Sequence, residues 1–156
     1  MPYRALIEAL RASPEHIAEL IHHLPPSAHT WKPKPEDWSL AQTVAHLAAA
    51  ESLFEARLRH ILAESNPFLP YFGPNVAKPE ADAPLETLVA RFRANRDLLI
   101  NLLGGLTLED WQRPAVHETM GATTLALQVQ NIINHDAEHL EAMKVVIAAY
   151  PVNSKQ

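Results

Sequence analysis

Two histidines four residues apart, His135 and His139 in NHDAEHL, and a third, His46 in WSLAQTVAHLAAAE, are the residues of this chain best suited to chemistry. Positions i and i+4 share one helix face, so both imidazoles of the pair can reach a single ion. A third ligand from another helix would leave a coordination position open, as a catalytic metal requires. Neutral imidazoles suit Zn, Ni, Fe or Co and leave the ion its full double charge. That charge can bring a bound water to a pKa of about 7 or deprotonate a bound thiol outright. Hydrolysis and thiol transfer are therefore both open to such a site. The chain has no cysteine, so a thiol has to come from a substrate or a cofactor.

The elements that must position these residues are all helical by periodicity. Ser13 followed by Pro14 has the form of an N-cap with proline at the first helical position, and Ile17, Leu20, Ile21 and Leu24 follow at helical spacing until Pro25 and Pro26. A shorter turn over Arg4 to Leu10 precedes it. Trp31 and Trp38 flank a proline-rich connector. Ser39 and Gln42 then form an S-x-x-Q capping box for a second helix, whose stripe of Leu40, Val44, Leu47, Phe54, Leu58 and Ile61 runs towards Ser65. Asn66 to Ala83 is a long connection, apolar in its middle, with Phe68, Tyr71 and Phe72 available to cover a site mouth or a dimer contact. A third helix runs from Pro84 to Gly104, and a fourth from about Thr124 to Ala149. No segment alternates as a strand. The expectation is an all-α four-helix bundle forming a single domain over residues 1–156, with the long connection permitting a crossover and an up-up-down-down order.

Helical geometry sorts the remaining candidates. His135 and His139 fall on or beside the inward face of the fourth helix, whereas His46 lies on the flank of its stripe. Asp136 falls near the centre of the fourth helix's stripe, where a bare carboxylate is costly. It either orients a histidine ligand or pairs with an arginine. Glu51 is also central on its stripe and is either paired within the bundle or pocket-facing. Gln42 is a pocket candidate as well as a member of the capping box. His117, in an expected loop, either approaches the metal or is solvated, and His16, His22, His23, His29 and His60 read as surface residues. The tryptophans Trp31, Trp38 and Trp111 either wall a pocket or anchor connectors. The likeness of HDAEH to the H-E-x-x-H of metalloproteases is superficial, because Asp is shorter than the Glu that serves there as base.

Composition narrows the partners. A formal charge of −5, with 13 scattered Lys and Arg residues, offers no basic field for a phosphate backbone and argues against nucleic acid. No apolar run is long enough to cross a membrane and no leader is evident, so a cytoplasmic protein acting on a small molecule is expected.

WSLAQTVAHLAAAE resembles the W-S-x-x-Q/E-x-x-x-H-L-x-x-x-E signature of the DinB/YfiT superfamily of metal-binding four-helix proteins, and HETMGATTLALQVQNIINHDAEHL is similar to that family's later segment ending H-D-x-x-H. The likeness extends to the early S-P helix start and the KPEDWS approach to the second helix. It implies that His46, His135 and His139 form the family's three-histidine site for a divalent metal, Zn, Ni or Fe, in a bundle that is often a homodimer. Where many members continue H-L-x-Q-I after the last histidine, this chain carries Ala142, which removes any substrate contact made by that glutamine. The activity implied is a metal-dependent transfer of a low-molecular-weight thiol to an electrophile. A metal-dependent hydrolase of a small substrate and a non-enzymatic, stress-associated metal-binding dimer are the alternatives.

Overall fold

The structure is a computed structural model that describes residues 2–72 and 79–151. Four long helices make up most of it: α1 (Arg4–Ile21), α3 (Leu40–Ala63), α4 (Leu85–Gly104) and α6 (Leu125–Ala149), with single turns α2 (Pro26–His29) and α5 (Leu108–Trp111) in the connectors. Part of the Asn66 to Ala83 connection, residues 73–78, lies outside the described residues.

The helix starts follow their caps. Ser39 Oγ accepts from Gln42 N at 3.1 Å and Gln42 Oε1 accepts from Ser39 N at 2.9 Å, closing the capping box of α3. Thr107 and Asp110 do the same for α5, and Thr124 Oγ1 caps α6. The first helix departs from expectation. It is continuous from Arg4 with Pro14 inside it, because Ser13 does not cap: its hydroxyl donates back to Ala9 O at 3.3 Å. A proline inside a helix has no N–H for the carbonyl four residues earlier, here Leu10 O, which is thereby freed for another donor.

Two apolar clusters fill the bundle and reveal its directions. One joins Ile7 and Leu10 near the start of α1 with the ends of α3 (Leu58, Ile61) and α4 (Leu99, Leu103) and the start of α6 (Leu125, Val129). The other joins the end of α1 (Ile17, Ile21), the starts of α3 (Leu40, Val44) and α4 (Leu85, Leu88) and the late α6 residue Met143. So α3 and α4 run parallel to each other and antiparallel to α1 and α6. The order is up-down-down-up rather than the expected up-up-down-down. The physical reason is where the crossover falls: the long connection joins the second and third helices, so that pair is parallel.

Three short strands were not anticipated. β1 (Phe68–Leu69) pairs in parallel with β2 (Pro114–His117), which pairs antiparallel with β3 (Gly121–Thr124). With two to four residues each, they are too short to show alternation in a sequence. Gly121, at a φ of 74°, supplies the left-handed conformation the β2–β3 turn needs.

Candidate metal centre

The antiparallel packing of α3 on α6 brings the three histidines together. Nε2 of His135 lies 3.2 Å from Nε2 of His46 and 3.2 Å from Nε2 of His139, and one ring nitrogen from each histidine falls within 4.8 Å of the others. Nitrogens held 2.0–2.1 Å from a tetrahedral ion stand about 3.3 Å apart along each edge, so two of the three edges already have that length. Three converging nitrogens cannot all satisfy one another by hydrogen bonding, since each neutral ring brings one donor and one acceptor. The donor set fits a divalent cation.

The surroundings keep these rings neutral. Burial, and then His139, push His46 down to about 4; burial, and then His46, do the same for His135; burial, and then His135, bring His139 to about 4. At neutral pH all three therefore present lone pairs. Trp38, immediately before the cap of α3, lies nearly parallel to the His139 ring with centroids 6.0 Å apart and tilts over His46 at 5.2 Å. It walls the cluster, whereas Trp31 meets Tyr150 edge-on and Trp111 stacks on Tyr3. On the other side Phe54 meets His135 edge-to-face at 5.2 Å. Nδ1 of His135 is buried without a hydrogen-bond partner among the described residues, so packing rather than the hydrogen bond that commonly orients a histidine ligand holds this ring among them.

Beneath the histidines lies a buried ionic network. Arg96 of α4 is 1% exposed, Glu51 of α3 2% and Asp136 of α6 4%. Arg96 Nε and Nη2 donate to Glu51 at 2.9 and 2.7 Å, and Nη1 and Nη2 donate to Asp136 at 2.8 and 3.0 Å. The fifth donor reaches Leu10 O at 2.9 Å, the carbonyl that Pro14 frees. All five N–H groups of the guanidinium are thus used. Burial works against the charge of Arg96, and its hydrogen bonds to the two carboxylates override that and raise its pKa. Burial likewise pushes Glu51 upward despite Arg96.

Asp136 and Glu51 thus both resolve to pairing with arginine, and Gln42 to capping. None of the three is among the converging groups. His117 is neither solvated nor part of the cluster: it sits in β2, 5% exposed, with Nδ1 accepting from Thr119 N at 3.1 Å and Met120 N at 3.2 Å. Because backbone N–H groups can only donate, Nδ1 carries no proton in the neutral ring. Sequence reasoning missed Arg96, although the signal was present. It interrupts the stripe Leu88, Phe92, Leu99, Leu103 at helical spacing, opposite two helices that each carry an inward carboxylate.

Comparison with known proteins gives the family and the fold. The family model of the DinB superfamily matches residues 9–143. A protein of Oceanobacillus iheyensis, by its name a candidate metal-dependent hydrolase, is 25% identical over 113 residues, 71% of this chain and 65% of its own length. The chain thus spans just under two thirds of that relative. YfiT from Bacillus subtilis, described as a probable metal-dependent hydrolase with an unusual four-helix bundle topology, matches with a TM-score of 0.78 at 19% identity, over 92% of this chain and 84% of its own. The DinB-like protein YjoA from Bacillus subtilis matches with a TM-score of 0.63 at 15% identity, over 92% and 90%. At such identities the structural likeness is one of fold.

Proposed function

We propose, because the chain belongs to the DinB superfamily, that it holds one divalent cation on His46, His135 and His139 and uses the open side of that site to activate a small nucleophile. The observation that carries the reading is the convergence of three neutral imidazoles, with His135 Nε2 at 3.2 Å from each of the other two and no fourth His, Cys, Asp or Glu in the group among the described residues. A bound ion there supplies the positive charge that makes a thiolate, or a nucleophilic water, available at neutral pH. The chain's own residues do the rest. The three rings offer lone pairs, Trp38 and Phe54 narrow the approach, and the Arg96 network fixes α3, α4 and α6 relative to one another.

The nucleophile we assign is a low-molecular-weight thiol, the substrate implied by the likeness to thiol-transferring members of the family, and a chain without cysteine has to take it from outside itself. The second reading, a metal-dependent hydrolase of a small substrate, is favoured by the names of the Oceanobacillus and YfiT relatives. In either case the residues act as one domain, with a homodimer as the working form. No described helix is long and apolar enough to cross a membrane.

Purified protein should carry about one Zn, Ni or Fe per chain, and His139→Ala should lose it without losing helicity; unchanged metal content in that variant would sink the assignment. With metal loaded, glutathione, bacillithiol, mycothiol and coenzyme A offered against a generic electrophile should reveal turnover with at least one. Turnover confined to an ester panel would move the assignment to hydrolase.

A further inference from the structure

The three rings of the cluster are not backed alike. A neutral imidazole that gives Nε2 to an ion keeps its proton on Nδ1, and that N–H ordinarily donates to a carboxylate, a backbone carbonyl or water. Among the described residues, Nδ1 of His135 is buried and meets no partner, whereas neither His46 nor His139 leaves a buried nitrogen in that state. The carboxylates beneath the cluster are already engaged, because each of the two oxygens of Glu51 and of Asp136 accepts from Arg96. Phe54, whose ring meets His135 edge-to-face at 5.2 Å, has no lone pair to offer.

Without an ion this arrangement is tolerable. The His135 ring can keep its proton on Nε2, which lies 3.2 Å from Nε2 of His46 and of His139 and can donate to either. With Nε2 given to an ion, the proton has to stand on Nδ1, in a dry position that holds no acceptor. An unmade hydrogen bond costs most in such a place. Loss of the partner that orients a ligating histidine typically weakens metal binding by about 10–100-fold. Of the three rings only His135 carries that handicap.

We infer that His135 is the releasable ligand of this centre: it engages a bound ion more weakly than His46 and His139 do, so that occupancy of the site is exchangeable and follows the supply of free metal. The inference rests on the function proposed above and names the regulation of that same site. His46 and His139, one from α3 and one from α6, are the firm pair. The His135 ring, packed against Phe54, can withdraw its Nε2 from an ion and give it back to a neighbouring imidazole without any helix having to move.

The first test needs no variant. In zinc-loaded parent protein with nitrogen-labelled histidines, the Nδ1–H of His135 should exchange with deuterium more slowly than those of His46 and His139. It should also carry the NMR shift of an imidazole N–H without a hydrogen bond; the shift of a hydrogen-bonded group would overturn the inference. Zinc should pass to an excess of chelator faster than the chain unfolds, and release as slow as unfolding would count equally against it. Affinity is then measured by chelator competition in His46→Ala, His135→Ala and His139→Ala, each first checked for parental helicity. His135→Ala should bind zinc at least about tenfold more tightly than either of the other two. Equal losses in all three, or the largest loss at His135, would overturn the assignment and leave the metal reading standing. A parent protein that takes up no zinc, nickel or iron would instead bring down the proposed function, and this inference with it.

Discussion

His135 is the ring on which the other two converge, and its chemistry sets a measurable dependence on acid. Its pKa and those of His46 and His139 are lowered from 6.5 to about 4 in the folded protein. Between those values the unfolded chain takes up protons that the folded chain refuses, so stability is fully present above about 6.5 and declines as pH falls towards 4. Glu51, whose pKa moves up from the ordinary carboxylate value of 4.5, acts in the opposite sense, one carboxyl against three rings. Metal-free protein should therefore lose denaturant resistance between pH 6.5 and 4, and His135→Phe should flatten that loss; a midpoint independent of pH would contradict it. The pair His135 and His139 was legible from spacing alone. His46 was not, because it lies on the flank of its stripe, and only the likeness to a family motif nominated it.

At the scale of the elements, the local signal that was read correctly, the capping box at Ser39, is one in which a side chain satisfies a backbone group within three residues. The structure adds a capping box at Thr107 and a cap at Thr124 of the same kind. Gln42→Ala should accordingly cost about 1 kcal/mol of stability and leave metal content unchanged, and a lost metal would instead place Gln42 in the site. The Ser13–Pro14 signal misled for the same physical reason that makes it useful elsewhere. Proline tolerates the first turn because its missing N–H is not needed there, but the interior is also open to it when another donor takes the freed carbonyl. That donor, Arg96 Nη1, comes from a helix more than eighty residues away, and no local pattern carries that information. The strands escaped for want of length, and His117, which β2 carries inward, escaped with them.

The whole molecule is tied together at Arg96, which reaches the other three long helices at once: α3 through Glu51, α6 through Asp136 and α1 through Leu10 O. Removing one member of a buried ionic group strands the others in a dry interior. Arg96→Met should cost about 3–5 kcal/mol, and replacing Arg96, Glu51 and Asp136 together with apolar residues should recover much of it. Chemical denaturation of the two variants checks this; an equal loss in both would mean that volume rather than charge governs the site. The bundle class followed from four amphipathic periods, but the directions did not. Periodicity says which face is buried and not which end of the bundle it enters.

The antiparallel seating of α3 on α6 also sets a timetable. His46 and His135 stand 89 residues apart in the chain. At ribosomal rates of 5–20 residues per second, His46 leaves the peptidyl-transferase centre about 4–18 s before its first partner. Through that interval the His46 ring has neither of its partners, and Glu51 gains the Arg96 guanidinium only after α4 is made. The cluster therefore forms only once α6 is made, and a chain truncated before α6 keeps one of its three rings.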